Sequence, residues 1–184
     1  MTTLMQSLHT LLRHRWRDES DARRALPPQA MERLRQRVAA SERRHTGQIR
    51  IAVEAGLPLS YLWRHVRRGL PLRQIVRARA VMLFGKLRVW DTEHNNGVLI
   101  YLLLADQAIE LVADRGLNRC VSNADWKAMV ARMGLAFQSG QFEDGLTQAL
   151  EEVSAVLVAH FPREEGEPLS GERANELPDA PALI

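Results

Sequence analysis

At 184 residues with 46% hydrophobic side chains, the chain is long enough for one domain with a sizeable core, and no apolar run reaches the roughly 18 to 20 residues of a membrane span. A single cysteine, Cys120, excludes an internal disulfide and a thiolate metal cluster; with no secretory h-region near the start, the expectation is a soluble cytoplasmic protein. The net charge of +3 hides an asymmetry, because residues 1–90 carry 19 Lys and Arg against 6 Asp and Glu, whereas residues 91–184 carry 6 against 16.

In chain order, Leu4, Leu8, Leu11 and Leu12 recur at helical spacing beside His9, Arg13 and Arg17, so residues 3–17 read as a basic amphipathic helix, docked rather than cleaved, within an N-terminal segment of residues 1–26. Pro27 and Pro28 open the next helix, where proline is tolerated, and Met31, Leu34 and Val38 lie on one face of it. Continuing that stripe brings Glu42 and His45 onto or beside the same face, and Gly47 is expected to end the helix. Residues 48–54 alternate, with Ile49, Ile51 and Val53 on one side and Gln48, Arg50 and Glu54 on the other, as in a strand with one buried face.

Two helical stretches, about 59–69 and 72–88, are broken by Gly69 and Pro71. The apolar runs 98–104 and 107–113 are too close for a crossover and must form an antiparallel hairpin. The first of them is apolar on both faces, which predicts a central place in the sheet for the hairpin. Ser122 and Asp125 make a capping-box-like start for a helix with Trp126, Met129, Val130, Met133 and Phe137 inward; Gly140 precedes a last helix, about 142–160. The fold class is therefore α/β: one domain over residues 27–161, a small mixed sheet with a parallel crossover and an antiparallel hairpin, covered by helices on both faces. Residues 162–184, with four prolines and many acids, read as a loosely attached tail.

Functional groups are expected at the rim where Arg88 to Gly97 feeds the second strand. Glu93 precedes that strand and Asp114 ends the next, and in an antiparallel pair these ends share one edge. If the end of the first domain helix lies there too, Glu42 joins them and the three form a hard-cation site for Ca²⁺ or Mg²⁺; Asp91 and Asn96 complete the rim. Against that stand plainer roles: turn capping for Asp114 and an arginine salt bridge for Glu42. Asn95, Asn96 and Gly97 are most economically a turn supplying positive φ, the alternative being an Asn96 amide aimed into the cleft beside Glu93. Cys120 has one nearby cation, Arg119, and reads as structural rather than nucleophilic. His45 reads as a helix-end residue and Trp126 as core.

Trp90-Asp91-Thr92-Glu93, Asn95-Asn96-Gly97-Val98-Leu99-Ile100 and Val112-Ala113-Asp114-Arg115-Gly116-Leu117 resemble the central block of the TPM domain family, a bacterial and plastid group named as a phosphatase domain. Further matches lie at Glu42, residues 47–51, Trp126, residues 139–145 and Asn175-Glu176-Leu177-Pro178-Asp179. Together they span residues 5 to 180 and resemble the short bacterial branch without signal peptide or membrane helix. Because the tail motif matches, Leu177 is expected to dock on the domain.

The resemblance implies two readings. One is an accessory module that uses its acidic rim and its arginine-rich half to dock a protein partner, in relatives a membrane-associated one. The alternative, which the family name implies, is a weak metal-assisted phosphomonoesterase, for which the residues offer Asp114 and Arg115 as catalytic candidates, with Arg115 or Arg119 neutralising the phosphoryl oxygens. No C-x5-R loop, D-x-D-x-T nucleophile or dimetal histidine pattern supports the second. The charge asymmetry suits a nucleic-acid or anionic-membrane face, or two halves that attract each other, and no specific nucleic-acid motif accompanies it. The arginines suit planar pairs with carboxylates or phosphates.

Overall fold

The computed structural model describes residues 12–14, 16–17, 19–163 and 175–184. Most of the basic amphipathic helix expected over residues 3–17 lies outside the described residues; of it, residues 12–14 are helical. His14 is buried, its Nδ1 accepting from the Leu57 N–H at 3.1 Å and its Nε2 lying 3.0 Å from Asp106.

From there the chain forms α1 (Glu19–Ala25), α2 (Pro28–Glu42), β1 (Gln48–Glu54), α3 (Leu59–Arg68), α4 (Leu72–Lys86), β2 (Gly97–Leu103), a single 3₁₀ turn, β3 (Ala108–Ala113), the one-turn α5 (Arg115–Asn118), α6 (Asn123–Gln138), α7 (Phe142–His160) and β4 (Ala182–Leu183). The strand order is β3-β2-β1-β4. β1 and β2 run parallel, Gln48 opposite Gly97 through Glu54 opposite Leu103, and α3 and α4 make the crossover between them. β2 and β3 form the antiparallel hairpin, and β4 adds in parallel to β1.

Period-two side chains divide the core between the two faces of this sheet. Ile49, Ile51, Val53, Val98, Ile100 and Leu102 face α1, α2, α6 and α7. Ala52, Leu99, Tyr101, Leu103 and Val112 face α3 and α4. All seven residues of β2 are buried, as a strand with a neighbour on each side and helices on each face must be. Starts and stops follow local chemistry. Pro28 occupies the first turn of α2, the Ser122 hydroxyl caps α6 by accepting from the Asp125 N–H at 3.2 Å, and left-handed Gly69 closes α3.

Three expectations need correction. The hairpin is not central as a unit: β2 is, but β3 is an edge, and β1 takes the other inner position because the tail pairs beside it. That tail is not loosely held over residues 175–184, for Leu177 is buried as the matching motif implied, the Ile184 N–H donates to the Val53 carbonyl at 2.9 Å, and an Arg50 guanidinium N–H donates to the Ala180 carbonyl at 2.6 Å. Helix α2 ends at Glu42, ahead of Gly47, whose role is close approach: a Cβ there would lie 2.4 Å from a Leu157 methyl. The turn over Asn95, Asn96 and Gly97 supplies the expected positive φ at Asn95 (52°), while at Gly97 a Cβ would sit 1.9 Å from the Val89 carbonyl oxygen.

Candidate functional site

An acidic pocket of about 220 Å³ opens where the parallel strands begin and the tail crosses them. Its walls come from three places. The end of α2 and the turn after it bring Ala39, Glu42 and Thr46, the loop before β2 brings Glu93 and His94, and the tail brings Asn175, Glu176 and Asp179; Gln48 and Arg163 complete it. The pieces are tied by hydrogen bonds. The Glu93 N–H donates to the Glu176 carboxylate at 2.9 Å, the Leu177 N–H to Gln48 Oε1 at 3.2 Å, and the Asn175 amide to Asp179 Oδ1 at 2.6 Å.

Glu42 is the group most affected by this setting. It sits at the C-terminal end of α2 and accepts the Ile49 N–H at 2.8 Å, which anchors it to the first turn of β1. Burial pushes its carboxyl up to about 8; the Ile49 bond and the Arg163 charge pull the other way, and the neighbouring Asp179 raises it further by charge and by a shared hydrogen bond. At neutral pH Glu42 therefore retains its proton. A carboxyl kept neutral beside other carboxylates marks a place where a positive charge would be welcome.

Of the rim residues singled out from the sequence, Glu42 and Glu93 line this pocket together. Asp114 is not among its lining residues. It caps α5, Oδ1 accepting the Arg115 N–H at 2.6 Å, while Oδ2 is buried without a hydrogen-bond partner. The Arg115 guanidinium donates to Asn95 Oδ1 at 2.7 Å, and Asp91 is ion-paired with Arg88. Asn96 is buried: its N–H donates to the Thr92 hydroxyl at 3.1 Å, and its amide reaches Thr46 at 3.4 Å. Among the described residues no group of three or more His, Cys, Asp and Glu side chains stands in metal-ligating geometry. Cys120 is exposed and free, and Trp126 packs in the core.

Two buried polar groupings were not legible beforehand. Behind the pocket, Arg44 donates to the Ser154 hydroxyl at 2.7 Å, Ser154 and Ser41 are 2.7 Å apart, and Ser41 lies 2.9 Å from His45 Nε2, whose Nδ1 lies 3.1 Å from the Gly47 carbonyl. Burial lowers the His45 imidazole to about 4, so the ring is neutral; a proton on Nδ1 for Gly47 leaves Nε2 to accept from Ser41. His45 is thus a core residue past the end of α2. Under α4, the Arg79 guanidinium forks onto both Glu54 oxygens at 2.9 and 2.5 Å, and the Tyr101 hydroxyl donates to the same carboxylate at 2.7 Å. Alternation along β1 puts Glu54 on the solvent side, and only the placement of Arg79 and Tyr101 on the same face, 25 and 47 residues away, reveals otherwise.

Fold and pocket define a small α/β domain whose mixed four-stranded sheet carries an acidic recess at the start of its parallel strands. The family model described as the TPM domain matches residues 20–156, and the chain belongs to that family. The solution structure of the BA42 protein from the psychrophilic bacterium Bizionia argentinensis is similar in fold, with a TM-score of 0.68, 24% identity, and coverage of 86% of this chain and 95% of that one. The N-terminal domain of a protein from P. gingivalis superposes with a TM-score of 0.55 at 19% identity, over 76% of this chain and 83% of that one. No curated protein matches the chain. Among the described residues no helix is long and apolar enough to cross a membrane.

Proposed function

We propose that this protein is a binding module of accessory type, in which a hard divalent cation, Ca²⁺ or Mg²⁺, binds the acidic pocket through Glu42 and Asp179 with Glu93 and Glu176 beside them. The carrying observation is the convergence of Glu42, Glu93, Glu176 and Asp179 on one pocket, where burial, with the Asp179 charge adding to it, raises the Glu42 carboxyl to about 8. An oxygen-only donor set suits a hard cation, and an ion entering here would displace the proton and draw the four carboxylates together. A bound ion would also fasten the tail, which supplies Glu176 and Asp179, to the loop and helix that supply Glu93 and Glu42. The surface so organised is the one offered to a protein partner.

Of the original rim set, Glu42 and Glu93 stay in this reading, and Asp114 leaves it because its carboxylate caps α5. The phosphatase alternative would need Asp114 and Arg115 to reach a phosphoryl group, and both are engaged locally, with the Arg115 N–H and with Asn95.

Thermal unfolding with Ca²⁺, Mg²⁺ and Mn²⁺ tests the proposal, since a ligand that binds only the native state raises apparent stability. At least one ion should raise the melting temperature, more at pH 8 than at pH 6, because binding releases the Glu42 proton. Glu42→Gln and Asp179→Asn should abolish the rise and Asp114→Asn should keep it. Loss of the rise in Asp114→Asn alone, or no rise with any of the three ions, overturns the assignment.

A further inference from the structure

Helix α3 carries an apolar stripe on its solvent side. Leu62 is buried against the sheet, but Leu59, Trp63 and Val66 are 62%, 57% and 42% exposed, at spacings of four and three that place them within about 60° of arc on the helix. Three large apolar side chains in one row are unlike singly scattered surface hydrophobes, which need no explanation.

The stripe lies in the most cationic part of the chain. Residues 55–90 contain eight Arg and Lys and no Asp or Glu. Arg77, Arg79 and Arg88 are paired with Glu110, Glu54 and Asp91. Arg64, Arg67, Arg68 and Arg73 have no carboxylate within ion-pair distance among the described residues, although acids are plentiful elsewhere. The Arg67 guanidinium stacks over the Trp63 ring at 4.6 Å, and Arg64 over Tyr61 at 5.3 Å. Around the helix the exposed half thus passes from Leu59, Val66 and Trp63 to Arg67, then to Arg64 and Arg68.

We propose that α3 docks this protein on an anionic phospholipid surface, with Leu59, Trp63 and Val66 entering the boundary between headgroups and acyl chains and Arg64, Arg67 and Arg68 meeting the phosphates. An interfacial helix has this arrangement: an apolar face, an aromatic ring at its border and cations beside it. A nucleic acid would satisfy the arginines but leave the Leu59–Trp63–Val66 row in water, so the apolar stripe decides for the bilayer. The surface is separate from the acidic pocket, and because α3 covers the opposite sheet face from α6 and α7, a matched control exists on the far side.

The test is co-sedimentation of the full chain with vesicles of phosphatidylcholine alone or with about 30% phosphatidylserine, at about 0.1 M salt. Binding is expected to the anionic vesicles and not to the neutral ones. Arg67→Glu/Arg68→Glu should weaken it by at least about tenfold, and Trp63→Ala by about tenfold, with melting temperatures unchanged because these side chains are exposed. Arg119→Glu/Lys127→Glu, with the same change in net charge at exposed sites, should leave binding within about twofold. No affinity for anionic vesicles overturns the proposal, as does binding that survives Trp63→Ala and the α3 charge reversal, or an equal loss in the control. Binding of a DNA or RNA oligonucleotide that falls with Arg67→Glu/Arg68→Glu, without vesicle binding, would reassign the face to nucleic acid.

Discussion

Glu42 and His45 stand three residues apart at the end of α2 and are perturbed in opposite senses, so the pH dependence of folding should carry both signatures. A carboxyl raised to about 8 favours the fold when protonated; its contribution is complete below the ordinary value of 4.5 and is lost as pH rises through 8. An imidazole lowered to about 4 favours the fold when neutral; its contribution is complete above 6.5 and is lost as pH falls towards 4. Between about 4.5 and 6.5 the two slopes oppose each other and stability should be nearly flat. From 6.5 to 8 only Glu42 acts, and stability should fall by an amount on the order of 2 kcal/mol. Glu42→Gln keeps an acceptor for the Ile49 N–H and gives Asp179 a donor without a proton to lose. Thermal melts of that variant without divalent ions should be level across pH 6.5 to 8 and above wild type at pH 8; an undiminished alkaline fall would assign it to another group.

Among the elements, the buried Glu54–Arg79–Tyr101 grouping joins β1, α4 and β2 across one face of the sheet. Desolvation works against the Arg79 cation, yet hydrogen bonds to Glu54 and the charge there hold it above its ordinary range. Removing one partner is costlier than removing both, because a lone buried cation remains. Glu54→Gln should lower stability in urea titrations by about 3 to 5 kcal/mol, and Glu54→Gln with Arg79→Met should recover part of that. If the double variant is as unstable as the sum of the single ones, the groups do not act as a pair. The same region shows what pattern reading can and cannot reach. Apolar periodicity was enough for α6 and α7, because each buries one stripe; the Gly69 and Pro71 breaks marked off α3 and α4, and the short gap between two apolar runs fixed the hairpin. Periodicity failed for Glu54, whose polar side chain lies on a face covered by α4, since alternation reports polarity and not what packs above. It failed likewise at the sheet edge: nothing local to residues 108–113 says that β4, 70 residues later, will pair beside β1 and leave β3 outside. Strand direction put Glu93 at one rim with Asp114, and Glu42 could join only on the condition that the end of α2 lies there too, whereas Glu176 and Asp179 sit in a stretch whose acids and prolines look like tail.

At the scale of the molecule, the acidic end of the chain folds back across the start of the sheet, while the acid-free run 55–90 presents α3 elsewhere. The charge asymmetry read from the sequence is thus partly neutralised inside the fold, as in Arg33 with Glu143 and Arg77 with Glu110, and partly left standing on α3. The returning tail does two things together: it adds β4 to β1, and it closes the acidic pocket with Glu176 and Asp179. Stability and ligand binding at that place should therefore be linked, because whatever holds the carboxylates also holds the strand. Residues 175–184 bury Leu177 against the α3–α4 face and supply the backbone bond from Ile184 to Val53, so ending the chain at residue 174 should lower the melting temperature by several degrees and expose the β1 edge. The truncated protein should also lose any cation-induced rise, even though Glu42 and Glu93 remain. In the full chain, amide exchange at Val53 and Ile184 should slow when a cation is added and quicken when Asp179→Asn is introduced. A truncation that keeps the cation-induced rise would separate the two roles of the tail and move the ion site onto Glu42 and Glu93 alone; exchange at Ile184 that ignores both cation and Asp179→Asn would leave β4 as a structural strand with no part in binding.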